Sequence, residues 1–141
     1  MVGPSRRYRL ADTAQQIVGG FLLAGPFVVT QEVWDLARDM QLLQTVATVG
    51  LVFAIGYGAL YRADHERDPE SEAEVAGVPL RFLSLMAVSF GSVALLAVAF
   101  GAPGTFLPEL PLVRRLAVTV RAVAVGAIFS VVGAATADSV F

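Results

Sequence analysis

Four long apolar stretches constrain the fold of this chain more than any other feature of its sequence. They cover residues 13–34, 42–61, 80–101 and 113–137, and the second contains no charged residue. Each has the roughly 20 residues that an α-helix needs to cross a hydrocarbon core of about 30 Å. The sequence therefore predicts an all-α, polytopic integral membrane protein with four transmembrane helices, and the lipid bilayer is its first expected partner.

The composition supports this class and excludes several functions. Hydrophobic residues make up 56% of the 141 positions, above the roughly 45–50% that is usual in soluble proteins. Twelve acidic and ten basic residues give a net charge of −2, which provides no basic face for nucleic acid, so we expect no nucleic-acid partner. The chain has no cysteine, which excludes disulfides and thiolate metal sites.

The polar segments between the apolar stretches predict the domain organisation. Residues 1–12 form a short N-terminal lead, and residues 13–141 form the transmembrane domain. Like charges at high density favour a solvated linker at the acidic loop 62–79. Three prolines within residues 102–111 predict an ordered, non-helical connection.

The distribution of arginine predicts the orientation in the membrane. The N-terminal lead and the segment 62–81 together carry six arginines, whereas the segments 35–41 and 102–115 carry three. Basic flanks are retained in the cytoplasm. We therefore expect a multi-pass protein of the cell membrane with both termini cytoplasmic, in which the first apolar stretch is a retained helix and not a cleaved signal peptide.

The first apolar stretch contains a proline and ends in polar residues. Pro26 has no N–H and its ring crowds the carbonyl of Leu22, so it predicts a kink in a helix over residues 13–34. Thr30, Glu32 and Asp35 follow the bend, and the sequence leaves open whether they face lipid headgroups or the protein interior.

Arg121 is the charged residue placed inside a predicted span, eight residues after the start of the fourth. Its side chain either extends to the membrane interface or faces protein, and in the second case it needs a carboxylate partner. Glu32 and Asp35 lie at the same predicted side of the membrane and could provide one. The candidate polar site is therefore Glu32 and Arg121, with Thr30 and Asp35 beside them.

Small residues recur at every fourth position of the fourth span. Such spacing places them along one helix face, where small side chains let two helices approach closely in lipid. The residues of this predicted packing seam are Ala122, Gly126, Ser130 and Ala134. The seam fits packing within one chain, and it also fits the subunit interface of a homo-oligomer.

No motif of enzymatic chemistry is present in the sequence. It contains no H-E-x-x-H, no G-x-S-x-G and no P-loop, and without lysine it cannot form a serine–lysine dyad. His65, the single histidine, lies in the acidic loop, and carboxylates on a solvated linker do not provide the rigid geometry of a metal site. We expect no catalytic residue, no metal and no cofactor.

The end of the first span resembles a known family. The pattern Gly25-Pro26-x-x-x-Thr30-x-Glu32-x-Trp34 is similar to the close of the first helix in the DUF2391 family of integral membrane proteins of archaea and bacteria. The likeness extends from Gly19 to Trp34. It implies a polytopic membrane protein and supplies no catalytic residue.

Two functions remain open from the sequence. The first is a subunit of an oligomeric channel or transporter for ions or small solutes, which the kinked first span and the charges at Glu32 and Arg121 favour. The alternative is a non-transporting membrane module that assembles or binds a partner through the packing seam or the acidic loop.

Overall fold

The computed structural model describes residues 9–62, 74–75 and 77–140 of the chain. Almost all of them are helical, and a two-stranded antiparallel hairpin pairs β1 (Glu74–Val75) with β2 (Val78–Pro79). A π-helical turn, Gly58–Arg62, continues the third helix. The α-helices are α1 (Leu10–Val28), α2 (Gln31–Asp39), α3 (Leu42–Tyr57), α4 (Leu80–Ala99), α5 (Ala102–Phe106) and α6 (Leu112–Val140).

Three helical segments are each long and apolar enough to cross a membrane. They are Leu42–Tyr61, Leu80–Ala99 and Leu112–Ser139. A fourth crossing results if α1 and α2 are counted together as one bent span. The predicted all-α membrane fold is confirmed.

The first span is not the single kinked helix expected over residues 13–34. Helix α1 ends at Val28, two residues past Pro26, and α2 starts at Gln31 with its axis turned by 80°. Proline removes a hydrogen bond from the last turns of α1, and side chains after the bend bond the carbonyls that the helix end leaves free. Thr30 Oγ1 donates to Phe27 O (2.9 Å), and Trp34 Nε1 donates to Val28 O (2.9 Å).

The helices form a bundle in which α1 packs against both α4 and α6, while α3 packs against α6 and α4. We call the end at which α1 and α4 begin and α6 ends the Arg81 end. The opposite end, where α1 turns into α2 and α6 begins, is the Trp34 end. One apolar core surrounds Trp34, Val93 and Val118, and a second lies between α3, α4 and α6 around Val52 and Leu85.

The small residues of the predicted seam are buried inside this bundle. Ala122, Gly126, Ser130 and Ala134 all lie in the interior, so they pack within the chain. A Cβ added to Gly126 would lie 2.8 Å from Cγ1 of Val93 on α4. The closest approach of α1 to α6 is at a pair outside the predicted seam. A Cβ on either Gly19 or Gly133 would overlap the carbonyl oxygen of the other.

Two connections differ from what the sequence predicts. Residues 102–111 contain the short helix α5, because Gly101 adopts a positive φ of 65° that turns the chain and Pro103 is tolerated in the first turn of a helix. In the acidic loop, Gly77 has a φ of 83° between the two strands. The rest of the predicted linker, with His65, lies outside the described residues, as do residues 1–8 of the lead.

Candidate functional site

The structure does not join the predicted polar site into an ion pair. Glu32 and Asp35 are exposed on α2, and Arg121 is half-buried on α6. Within residues 9–62, 74–75 and 77–140, neither carboxylate bonds Arg121. The candidate pair of Glu32 with Arg121 is therefore not formed within the single chain. The reason is the bend after Val28, which gives α2 a buried face made of apolar side chains such as Trp34.

A different set of charges is buried at the Arg81 end, where α1, α4 and α6 meet. The guanidinium of Arg81 is 2% exposed and lies between two carboxylates. Its Nη1 is 2.6 Å from Asp138 Oδ1, and its Nη2 is 3.2 Å from Asp12 Oδ2. Each of the three residues comes from a different helix, so the charges tie the three helices together.

Uncharged polar side chains complete this network. Gln16 Nε2 donates to Asp138 Oδ2 (3.0 Å), and Gln16 Oε1 accepts from Ser84 Oγ (2.6 Å). The hydroxyl of Thr13 lies 3.1 Å from that of Ser84. Both amide atoms of Gln16 and both oxygens of Asp138 are thus bonded. Buried polar groups are tolerated when they are satisfied in this way. We call these four residues, together with Asp12 and Arg81, the ionic network.

The positions of the charges along their helices show that they depend on one another. Asp12 lies in the first turn of α1, where a negative charge is favoured, and it also accepts from Arg9 N (2.8 Å). Arg81 lies in the first turn of α4 and Asp138 in the last turn of α6. The helix dipole opposes the charge at both of these positions. The Arg81–Asp138 pair therefore gains its stability from the mutual contact and not from its helices.

Further polar groups lie deeper in the crevice between the same three helices. Ser130 Oγ donates to Gly20 O (3.2 Å), and Ser92 Oγ donates to Val88 O (2.6 Å). A Cβ added to Gly20 would lie 3.0 Å from Ser130 Oγ and 3.1 Å from Ser92 Oγ, so both hydroxyls approach α1 at this glycine. The polar groups thus continue from the ionic network toward the middle of the bundle.

The Trp34 end is closed by apolar and aromatic packing. Trp34 is 1% exposed, and its ring stacks on Phe106 with centroids 5.8 Å apart. At the surface, Arg38 Nη2 lies 2.7 Å from both Phe106 O and Glu109 Oε1. The hydrogen bond from Arg38 lowers the pKa of the exposed Glu109 carboxyl. This end contains no buried ion pair among the residues that the structure describes.

Sequence reasoning did not identify the ionic network, although partial signals existed. Asp12 directly precedes the first predicted span and Gln16 lies in its first turn, where polar side chains also occur as helix caps or in contact with water. Asp138 continues the four-residue spacing of the predicted seam, which places a carboxylate on a buried helix face. Arg81 opens an otherwise uncharged span. A carboxylate on one apolar face and an arginine on another indicate a buried pair.

Comparison with known proteins adds no relative. No family model matches the chain, and searches of curated proteins and of solved structures find no similar protein. The resemblance to the DUF2391 family stays a prediction. Within the part of the chain that the structure describes, no three histidine, aspartate or glutamate side chains are arranged to hold a metal ion.

Proposed function

We propose that this chain is a subunit of a channel or transporter for cations in the cell membrane. The observation that carries the proposal is the burial of Asp12, Arg81 and Asp138 in a membrane bundle. Burying charges costs free energy that apolar residues would not cost, and ionisable groups within membrane bundles commonly lie on ion and proton paths. We further propose that it is not an enzyme and belongs with the DUF2391 family.

The net charge of the ionic network favours a cation as the transported species. Two carboxylates and one guanidinium leave one negative charge in excess. The guanidinium of Arg81 lies where a cation bound by Asp12 and Asp138 would lie. In this proposal Arg81 holds the site closed. Entry of a cation between the two carboxylates would weaken its hold.

The proposed path continues from the ionic network to Ser92 and Ser130 and then meets the apolar core around Trp34. A single chain is thus closed at the Trp34 end. In the proposal several copies assemble as a homo-oligomer to complete the path, and the Arg81 end faces the cytoplasm, as the arginine distribution predicts.

Reconstitution in liposomes tests the proposal. Vesicles with a trapped pH-sensitive dye and a potassium gradient would carry the wild-type protein, Asp138→Asn or, as control, Glu109→Gln. Glu109 is exposed outside the network. We expect cation-dependent dye signals from the wild type and the control. With Asp138→Asn, we expect the rate of the dye signal to change about tenfold or more. A folded wild type that leaks no more than empty vesicles would overturn the proposal.

A specific observation favours the non-transporting membrane module as the second candidate. Asp138 and Gln16 have all their side-chain oxygen and nitrogen atoms bonded within the chain, as expected of a purely structural clamp. If the module reading is correct, the same vesicles show no flux for any variant, while Asp138→Asn lowers the melting temperature of the protein.

A further inference from the structure

An open apolar groove lies between α3 and α6 beside the Trp34 end. Met40, Thr48 and Leu51 line one wall, and Val125 and Ile128 line the other. The hydroxyl of Thr48 bonds its own helix at Gln44 O (2.7 Å), so the wall presents mainly apolar surface. Apart from Met40, which follows α2, these residues belong to Leu42–Tyr61 and Leu112–Ser139, which are long and apolar enough to cross a membrane. A lipid acyl chain can therefore reach the groove from the side.

Two arginines lie on the same face of α6 as this groove wall. Arg121 precedes Val125 by four residues and Ile128 by seven, and Arg114 precedes Arg121 by seven. At 3.6 residues per turn these spacings place all four side chains along one face. Arg114 and Arg121 therefore lie on the groove face of α6, on the side of the groove nearer the start of the helix.

Arg121 has no partner among the residues that the structure describes. It is half-buried and makes no hydrogen bond or ion pair there. It lies nine residues into α6, about 13 Å along the helix axis from Leu112. An arginine at such a depth needs a counter-charge. Glu109, the nearest acidic residue along the chain, is already bonded by Arg38.

We propose that this surface binds one anionic phospholipid, with its phosphate on Arg121 and Arg114 and one acyl chain in the groove. The planar guanidinium matches a phosphate with two parallel hydrogen bonds. A phospholipid carries a negative phosphate that fits the two arginines and an apolar acyl chain that fits the groove. This inference goes beyond the proposed transport function and does not depend on it.

Native mass spectrometry of the detergent-solubilised full chain tests the site. The protein would be incubated with equal amounts of phosphatidylglycerol and phosphatidylcholine. The variants are the pair Arg114→Gln with Arg121→Gln and, as a matched control, Arg38→Gln. The control removes a guanidinium at the same end that is already bonded to Phe106 O and Glu109. We expect wild type and control to retain phosphatidylglycerol about tenfold better than phosphatidylcholine, and the double variant to lose this preference.

A second variant keeps both arginines and tests the apolar groove. Thr48→Phe fills the groove while both arginines remain, and we expect it to lower the retention of both lipids. Equal retention of the two lipids by the wild type, or an unchanged preference in the double variant, would overturn the proposal. A change in oligomeric mass with no change in bound lipid would show instead that a second copy of the chain covers this face.

Discussion

The two ends of the bundle hold the same helices together by different physics. At the Arg81 end, buried charges from α1, α4 and α6 meet at 2.6 and 3.2 Å. At the Trp34 end, a stacked aromatic pair and two side-chain caps close the corner between α1 and α2. Removing one partner of a buried ion pair is strongly destabilising because it leaves an unpaired charge. Apolar packing instead tolerates substitutions of similar volume at a small cost. We therefore expect the Arg81 end to tolerate fewer substitutions than the Trp34 end.

The difference also separates the functional proposals. A buried network of charged side chains can rearrange when a competing cation enters between its members. The stacked pair of Trp34 and Phe106 has no charged member that a cation could displace. We expect a conformational response to cations to start at the Arg81 end.

The largest effect is expected from removing the central cation. Arg81→Met keeps the side-chain length but leaves Asp12 and Asp138 buried without a counter-charge, which should lower the free energy of unfolding by about 3–5 kcal/mol. Arg38→Met removes the exposed ion pair with Glu109 at the Trp34 end and should lower the unfolding midpoint much less, because water screens such pairs. Chemical unfolding in detergent measures both. Adding Asp138→Asn to Arg81→Met should recover part of the loss, and equal unfolding midpoints for Arg81→Met and Arg38→Met would remove the contrast between the ends.

The next effect concerns the contact that joins α1 to α6 between the two ends. Gly19→Ala adds a Cβ where the carbonyl oxygen of Gly133 already lies, and overpacking of this kind typically costs about 1–3 kcal/mol. Gly25→Ala on the same helix is the matched control, because nothing lies within 4 Å of its added Cβ. The control should be neutral or slightly stabilising, since alanine favours helix. Thermal melts that rank the two variants equally would contradict this contact.

A smaller effect is expected from the indole cap at the corner. Trp34→Phe keeps an aromatic ring against Phe106 but leaves Val28 O without its donor, at an expected cost of about 1–2 kcal/mol. Thr30→Val removes the other cap, and it should cost less because Thr30 is half-exposed and water can replace its hydroxyl. Circular dichroism melts in detergent give both values. A Trp34→Phe protein as stable as wild type would mean that packing alone fixes the corner.

The smallest effect is the pH dependence contributed by Glu109. Its pKa is lowered chiefly by the hydrogen bond from Arg38, so the ionised form stabilises the folded protein. This contribution is present above the ordinary carboxyl pKa of 4.5 and disappears as the pH falls through the lowered value. The stability difference between wild type and Glu109→Gln should therefore be small at neutral pH and vanish in acid. A difference that persists unchanged at acid pH would exclude Glu109 as its source.

Local patterns in the sequence determined the apolar helices and part of their packing. A length near 20 apolar residues fixes a membrane helix because the bilayer allows no unpaired backbone. Ala122, Gly126, Ser130 and Ala134, which the sequence spaces four residues apart, all lie in the interior of the bundle. The sequence also indicated a kink near Pro26. In the structure, Thr30 and Trp34 bond carbonyls at the end of α1 and do not form a polar site with Glu32.

Only the tertiary structure decided which charges meet. Gln16 and Asp138 are 122 positions apart, and Arg81 and Asp138 are 57 apart. Helix periodicity states which side chains share a face, but the angle between two helices and their relative height depend on how closely they pack. Here the contact of Gly19 with Gly133 sets the approach of α1 to α6, and the turn after Val28 moves Glu32 to the surface. Local patterns indicate that Asp138 shares a buried face and that Arg81 opens an apolar span, but packing decides that these two residues meet each other and Asp12.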